Sequence, residues 1–378
     1  MRFLFIVQGE GRGHMTQAIS LQNILCKNGH KLSKVIIGKS SRREIPDFFY
    51  KKIHCKIESI DSPNFVVGKH NKKIQILKSI FYNIYYLRRY LSSIRKINRI
   101  VKIEKPDVII NFYDILGGLF YLFYNPKIPF YCIGHQYLIS HPEFIFPKGH
   151  KIDKFLLQLN NRITSFRANW LLALSFREIK NQLHKKLFVA PPLLRKEILE
   201  QNTKNENFIH GYILNNGYAN EICDWHKQNR NVKAHFFWDK KTRKQTTSVH
   251  NNLSFHKIDD QKFIDYMRRC SGFATTAGFE SICEAMYLGK PILMIPTAGH
   301  YEQKCNALDA KINGAGIISN TFDLDKLIAY IPIHKNNTSE FKHWVNQSEF
   351  YFNYILSLNN RKDYDHFSIH CDYLPNTR

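Results

Sequence analysis

Short apolar runs alternate with longer amphipathic stretches along nearly the whole chain. Runs of this kind, bounded by Gly, Asn, Asp or Pro, read as strands buried on both faces. The amphipathic stretches between them read as crossover helices, and the alternation is the βαβ pattern of parallel sheets. The pattern predicts strands over residues 2–8, 34–38, 55–60, 107–112, 129–133 and 170–175. It predicts a first helix over 14–27 and a long one over about 72–105. Around 190–207 the rhythm breaks at Pro191-Pro192 and a charged, Asn-rich stretch, as in a linker. A second series follows, with strands over 207–214, 232–238, 253–256, 272–276, 291–295 and 316–319. Its helices fall around 220–228, 262–269, 279–288, 301–312 and 324–330.

The expected fold class is therefore α/β, with two Rossmann-like domains. The first covers 1–190, a linker 191–206 and the second 207–340. A helical, aromatic-rich tail over 341–378 can pack back on the first domain. A chain of 378 residues suits two domains better than one. Ligands of open α/β sheets bind beyond the carboxyl ends of the strands, which puts the expected site in the cleft between the domains.

Charge changes the picture little. The 55 Lys+Arg against 31 Asp+Glu give +24, a balance that attracts polyanions. The chain is also rich in Lys, Asn and Ile throughout, so the excess can equally reflect composition bias. No recognised nucleic-acid module is present, and specific nucleic-acid binding is not expected. The stretch 72–105 sets apolar residues at helical spacing among Lys and Arg. It can lie on an anionic membrane surface, or pack on the sheet with a solvated basic face. The eight cysteines are scattered without a CxxC pair or a zinc-like spacing, so no metal site is expected. The apolar N-terminus runs straight into a glycine-rich loop and reads as a strand, not a signal peptide. A cytoplasmic protein, peripheral at most to the inner face of a membrane, is the expectation.

Two segments carry candidate chemistry. Gly9-Glu10-Gly11-Arg12-Gly13-His14 follows the first strand and opens a helix. Gly11 and Gly13 allow a tight turn and close approach of a ligand. The spacing is not that of a dinucleotide loop, and the second strand ends without an acidic residue for a ribose. His14 at the loop tip can act as general base on a hydroxyl, or simply hydrogen-bond the loop. Asp114, at the end of another strand, can orient that imidazole or cap the next helix. His135, His141 and His150 lie in the loop after Ile133, on the cleft side, and with Gln136 they can line an acceptor pocket or simply be mobile loop residues.

The second segment is 272–307. Thr276 ends a strand, and Gly278 leads tightly into a helix whose N-terminus suits a diphosphate, with the Ser281 hydroxyl as a further donor. Glu284, one turn on from Ser281 and Glu280, can accept ribose hydroxyls. Glu302-Gln303 opens another helix and offers groups to sugar hydroxyls.

In the order Gly278–Glu284, Gly289-x-Pro291, Pro296, Glu302-Gln303-x-x-Asn306-Ala307, this segment resembles the donor-binding region of GT-B glycosyltransferases. The likeness is greatest to the UDP-glycosyltransferases and to the bacterial N-acetylglucosaminyltransferase family that makes lipid II. The resemblance implies a nucleotide sugar, most simply UDP-linked, as co-substrate, with no separate cofactor. It implies an acceptor hydroxyl on a glycan, lipid-linked or small molecule. It places Asn216 and Gly217 near the diphosphate and the Ile258 backbone at uracil, and it puts Asp114 where UDP-glycosyltransferases hold the partner of the base. Thr276 stands where many relatives have a phosphate-binding His. Glu280 stands where plant members have Asn, and a carboxylate there must point away from a diphosphate. A UDP-sugar 2-epimerase on the same fold and a non-catalytic polyanion-binding protein are the alternatives.

Overall fold

The computed structural model of the chain describes residues 1–40, 44–63, 76–213, 216–238, 245–335 and 338–357. The first sheet is built from β1 (Arg2–Gln8), β2 (Lys31–Lys39), β3 (Lys56–Asp61), β4 (Val108–Phe112), β5 (Phe130–Ile133), β6 (Trp170–Leu174) and β7 (Leu187–Ala190). Their order across the sheet is β3-β2-β1-β4-β5-β6-β7, all parallel. Phe3 to Val7 of β1 are fully buried on both faces. Helices covering both sides of a parallel sheet require this, which is why the strand reads as an unbroken apolar run. The helices are α1 (Arg12–Lys27), α2 (Asp47–Lys52), α3 (Ile76–Tyr85), α4 (Leu87–Glu104), α5 (Ile115–Tyr124) and α6 (Lys151–Thr164).

The second sheet comprises β8 (Ile209–Ile213), β9 (Ala234–Trp238), β10 (Thr246–His250), β11 (Leu253–Lys257), β12 (Gly272–Thr275), β13 (Ile292–Met294) and β14 (Gly316–Ile318). The order is β10-β11-β9-β8-β12-β13-β14, and only the edge pair β10–β11 is antiparallel. The short α7 (Lys196–Leu199) lies between the sheets in sequence. After it come α8 (Ala219–Gln228), α9 (Asp260–Arg269), α10 (Phe279–Tyr287), α11 (Tyr301–Ile312), α12 (Leu324–Tyr330), α13 (Thr338–Asn346) and α14 (Ser348–Ser357).

Strand order reverses between β1 and β4 in one sheet and between β8 and β12 in the other. These switch points leave crevices at the strands' carboxyl ends. The loops after β1 and β12 are the two glycine segments singled out from the sequence.

Three elements differ from expectation. The long helix over 72–105 is two helices broken at Tyr86, and residues 72–75 lie outside the described part. α4 buries Tyr90, Ile94, Ile97, Ile100 and Val101 and turns its basic positions outward, whereas α3 exposes Phe81, Ile84 and Tyr85. β7 and the hairpin strand β10 carry no distinct signal, being short and, for β10, largely exposed. The described part of the tail forms α13 and α14, where the Trp344 indole donates to the Ser175 carbonyl and the Tyr351 hydroxyl to Glu178, and residues 358–378 lie outside the described residues.

Candidate active site

α1 is buried around most of its circumference, because it packs on its own sheet and also faces α10 and α14. Its buried polar residues must therefore find partners inside the protein. Gln22 donates to the Lys52 carbonyl and accepts from the His54 amide. Gln17 donates through Nε2 to Glu280 Oε1 on α10, and its Oε1 lies 3.2 Å from His14 Nδ1. Gly13 makes this crossing possible: a Cβ there would come within 2.9 Å of Glu280 Cγ.

His14 is buried, its ring stacked on Tyr113 at 5.8 Å between centroids. Tyr113 holds a left-handed backbone (φ 60°) in the β4–α5 turn and donates its hydroxyl to Asn161. His14 Nε2 lies 3.4 Å from Gln136 Nε2, which also donates to Glu302 Oε1 at 3.0 Å. Burial lowers the pKa of His14, opposed by the Glu302 charge and the Gln17 hydrogen bond. Neutral imidazole is the form this setting favours near neutral pH.

The expected partnership of Asp114 with His14 is corrected by these contacts. Asp114 Oδ1 accepts from the Leu116 amide at 2.8 Å and the Ser62 hydroxyl at 3.2 Å, so the residue is the N-cap of α5. Oδ2 has no partner and lies where a Cβ on Gly38 would be 1.9 Å away. Asn111 fixes the turn, accepting from the Asp114 amide and donating to its carbonyl. The His14 nitrogens are met by two glutamines.

The donor motif folds around α10. Gly278 is the N-cap and offers no side-chain acceptor, so the first amides of α10 keep their donors free of a cap. The Ser281 hydroxyl turns back to the Gly278 carbonyl at 3.1 Å. Asn306 donates to the Ala277 carbonyl, and Gln303 Oε1 accepts from the Thr297 amide, which leaves its amide nitrogen as the group it can offer. Glu284, the expected ribose acceptor, is held bidentately by Arg195, with Nε–Oε1 at 2.6 Å and Nη2–Oε2 at 2.8 Å. Arg195 also donates to Asp260.

A cavity of about 850 Å³ opens between the two sheets. Gly11, Gly13, His14, His135 and Gln136 line it from one side, and Ile258, Thr276, Gly278, Ser281, Glu284, Glu302 and Gln303 from the other. Asp114 and Gly217 are not among its lining residues. Gly217 sits in the turn after β8, and the side chain of Asn216 lies outside the described residues. His135 is stacked on Phe279 at 4.1 Å with Nδ1 on the Leu174 carbonyl, and burial pushes its pKa down to about 4. It packs the interface as much as it lines the cavity. His141 bonds the Lys180 carbonyl and His150 lies 3.0 Å from Lys304 Nζ, both away from the cavity lining.

A family model described as glycosyl transferase family 1 matches residues 1–331. The chain belongs to this family. An uncharacterized glycosyltransferase of Methanosarcina mazei is 24% identical over 348 residues, covering 84% of this chain and 85% of the relative. Among solved structures, the glycotransferase of kitacinnamycin superposes with TM-score 0.61 at 13% identity over 92% of this chain and 95% of that one. Acinetobacter baumannii MurG gives TM-score 0.52 at 14% identity, with 93% and 97% covered. The two-sheet architecture of this glycosyltransferase is thus GT-B.

Sequence reasoning missed Gln17, Tyr113 and Arg195 as site residues. Gln17, three residues after His14, could have been found from its place on the His14 face of α1. Nothing local marks Arg195, whose partners are 65 and 89 positions away.

Proposed function

We propose that this glycosyltransferase moves a hexose-type sugar from a UDP-linked donor to an acceptor hydroxyl, inverting the anomeric carbon. The observation that carries the reading is the shared cavity: His14 faces, across the cleft, the α10 N-terminus and the Glu302-Gln303 pair. The acceptor oxygen attacks C1 and its proton passes to His14 Nε2. The C1–O bond to the diphosphate breaks, and its electron pair leaves with the UDP β-phosphate oxygen. The uncapped amides of α10, with Ser281, offset the developing charge, so the reaction needs no metal ion and no cofactor besides the nucleotide sugar. Ile84, Leu87, Leu119 and Phe123 line the acceptor side, and Ile84, Leu87 and Phe123 are also exposed. That supports an apolar or lipid-linked acceptor met at an anionic cytoplasmic membrane surface. No helix among the described residues is long and apolar enough to cross a membrane.

The test is calorimetric titration of the purified protein with UDP, GDP, dTDP and ADP, without added metal. UDP is expected to bind at least about tenfold tighter than the purine nucleotides, and Glu284→Gln to weaken it. Selective binding of another nucleotide replaces the donor and keeps the reaction. Binding of none sinks the proposal.

A further inference from the structure

We infer that Glu280 is the positioning residue of the general base, acting across the interdomain cleft through Gln17 to set the tautomer and orientation of His14. The inference rests on the reading of His14 as base.

The chain of donors fixes a polarity. A carboxyl oxygen of Glu280 accepts from the Gln17 amide nitrogen, so the Gln17 carbonyl must face the imidazole. It lies 3.2 Å from His14 Nδ1 and carries no hydrogen. Nδ1 must therefore bear the proton, which leaves the lone pair on Nε2. The far side agrees. Gln136 Nε2 has two hydrogens, one directed to Glu302 at 3.0 Å and one available to His14 Nε2 at 3.4 Å. A long hydrogen bond of that kind is one an acceptor hydroxyl can replace. The groups facing the ring are thus Glu280 through Gln17, Glu302 through Gln136, and Tyr113 on its face.

Asp114, the carboxylate nearest in topology, is engaged as a helix cap. Glu280 has a place made for it, since Gly13 lacks the Cβ that would strike its side chain. Burial pushes the Glu280 carboxyl up to about 8; when it is protonated, the hydrogen is carried by Oε2, which has no partner, and Oε1 still accepts from the amide. Glu280 and Gln17 stand 263 positions apart, on helices of different sheets. The base is therefore set only when α10 and α1 meet, which couples the closed arrangement of the domains to a competent His14.

The experiment compares Glu280→Ala, Glu280→Gln and His14→Ala by steady-state kinetics and by ¹⁵N NMR of labelled histidine. Glu280→Ala is expected to lower kcat about 10- to 100-fold, by analogy with the loss of outer partners that orient metal-bound histidines, with donor KM within about threefold. The His14 signal should change from one Nδ1-protonated tautomer to a mixture. Glu280→Gln, which keeps the accepting oxygen, should recover most of both. Unchanged kcat and tautomer in Glu280→Ala overturn the inference, and so does a fall in kcat with the tautomer intact. Should Glu280→Ala fail to fold, Gln17→Leu makes the same test from α1. His14→Ala separates the two readings: a loss of ~10²–10⁴ supports the base. Activity within a few-fold removes the base, whatever the tautomer data show for Glu280.

Discussion

At Asp114 the carboxyl loses water on all sides and gains two donors, the Leu116 amide and the Ser62 hydroxyl. Desolvation outweighs both and pushes its pKa up to about 6. In the unfolded chain the same group titrates near ~4. Below that pH both states are protonated and its stabilising contribution is complete. As pH rises through 6 the folded protein must ionise a buried carboxyl that the unfolded chain has already ionised, and the contribution is lost. The full swing is about 3 kcal/mol. Asp114→Asn should therefore show a flatter stability profile than the parent between pH 4 and 6, read from urea midpoints at several pH values. Because the residue caps α5, a role asparagine also fills, and makes no hydrogen bond with His14, turnover should stay within about threefold. A collapse of turnover in a folded Asp114→Asn would return the residue to the base. The sequence left cap and partner equally open here, since both readings need only a carboxylate at a strand's end. Only the positions of Leu116, Ser62 and Gly38 decide between them.

Elements, by contrast, were largely legible. β5 and the Phe3–Val7 part of β1 are unbroken apolar runs, and β4 is interrupted only by Asn111, because parallel strands are buried on both faces, and the two glycine segments fall at the switch points where topology puts them. The split at Tyr86 is hidden, since the apolar spacing continues through it. The interlocks between elements are hidden too. Arg195, from the stretch read as linker, binds Glu284 of α10 and Asp260 of α9. Lys52 of α2 joins Asp260 to Glu197 of α7 at 2.5 and 2.6 Å. No local pattern announces a salt-bridge network whose five residues come from α2, α9, α10 and α7 with its N-cap Arg195. Its behaviour follows from burial. Arg195→Met leaves the buried Glu284 without its cation and should cost about 3–5 kcal/mol, whereas adding Glu284→Gln should recover part of the loss. Chemical denaturation of the two single variants and the double variant gives the coupling directly. Additive costs would mean that Arg195 and Glu284 stabilise the fold independently.

At the scale of the molecule, the tail touches the same two helices that carry the His14–Gln17–Glu280 chain. Asn346, at the end of α13, lies 3.3 Å from the Tyr287 hydroxyl at the end of α10. Glu349 of α14 pairs with Lys27 at the end of α1. Trp344 of α13 is buried, its indole nitrogen donating to the Ser175 carbonyl just past β6. The exposed Lys27–Glu349 pair contributes little, so Trp344 is the anchor. Its burial removes a large apolar surface from water and satisfies its one donor. Trp344→Ala should lower stability by about 3–5 kcal/mol, as for other buried aromatics cut to alanine. Hydrogen exchange separates a strap from a passenger. If the tail holds α1 and α10 together, protection should fall in both helices along with 338–357, and kcat should drop with it if the proposed base, His14, loses its orientation by Glu280. Loss of protection confined to 338–357, with α1, α10 and kcat unchanged, would make the tail a covering layer and leave domain closure to the Arg195 network and the apolar contacts of Phe279 with His135 and Phe176.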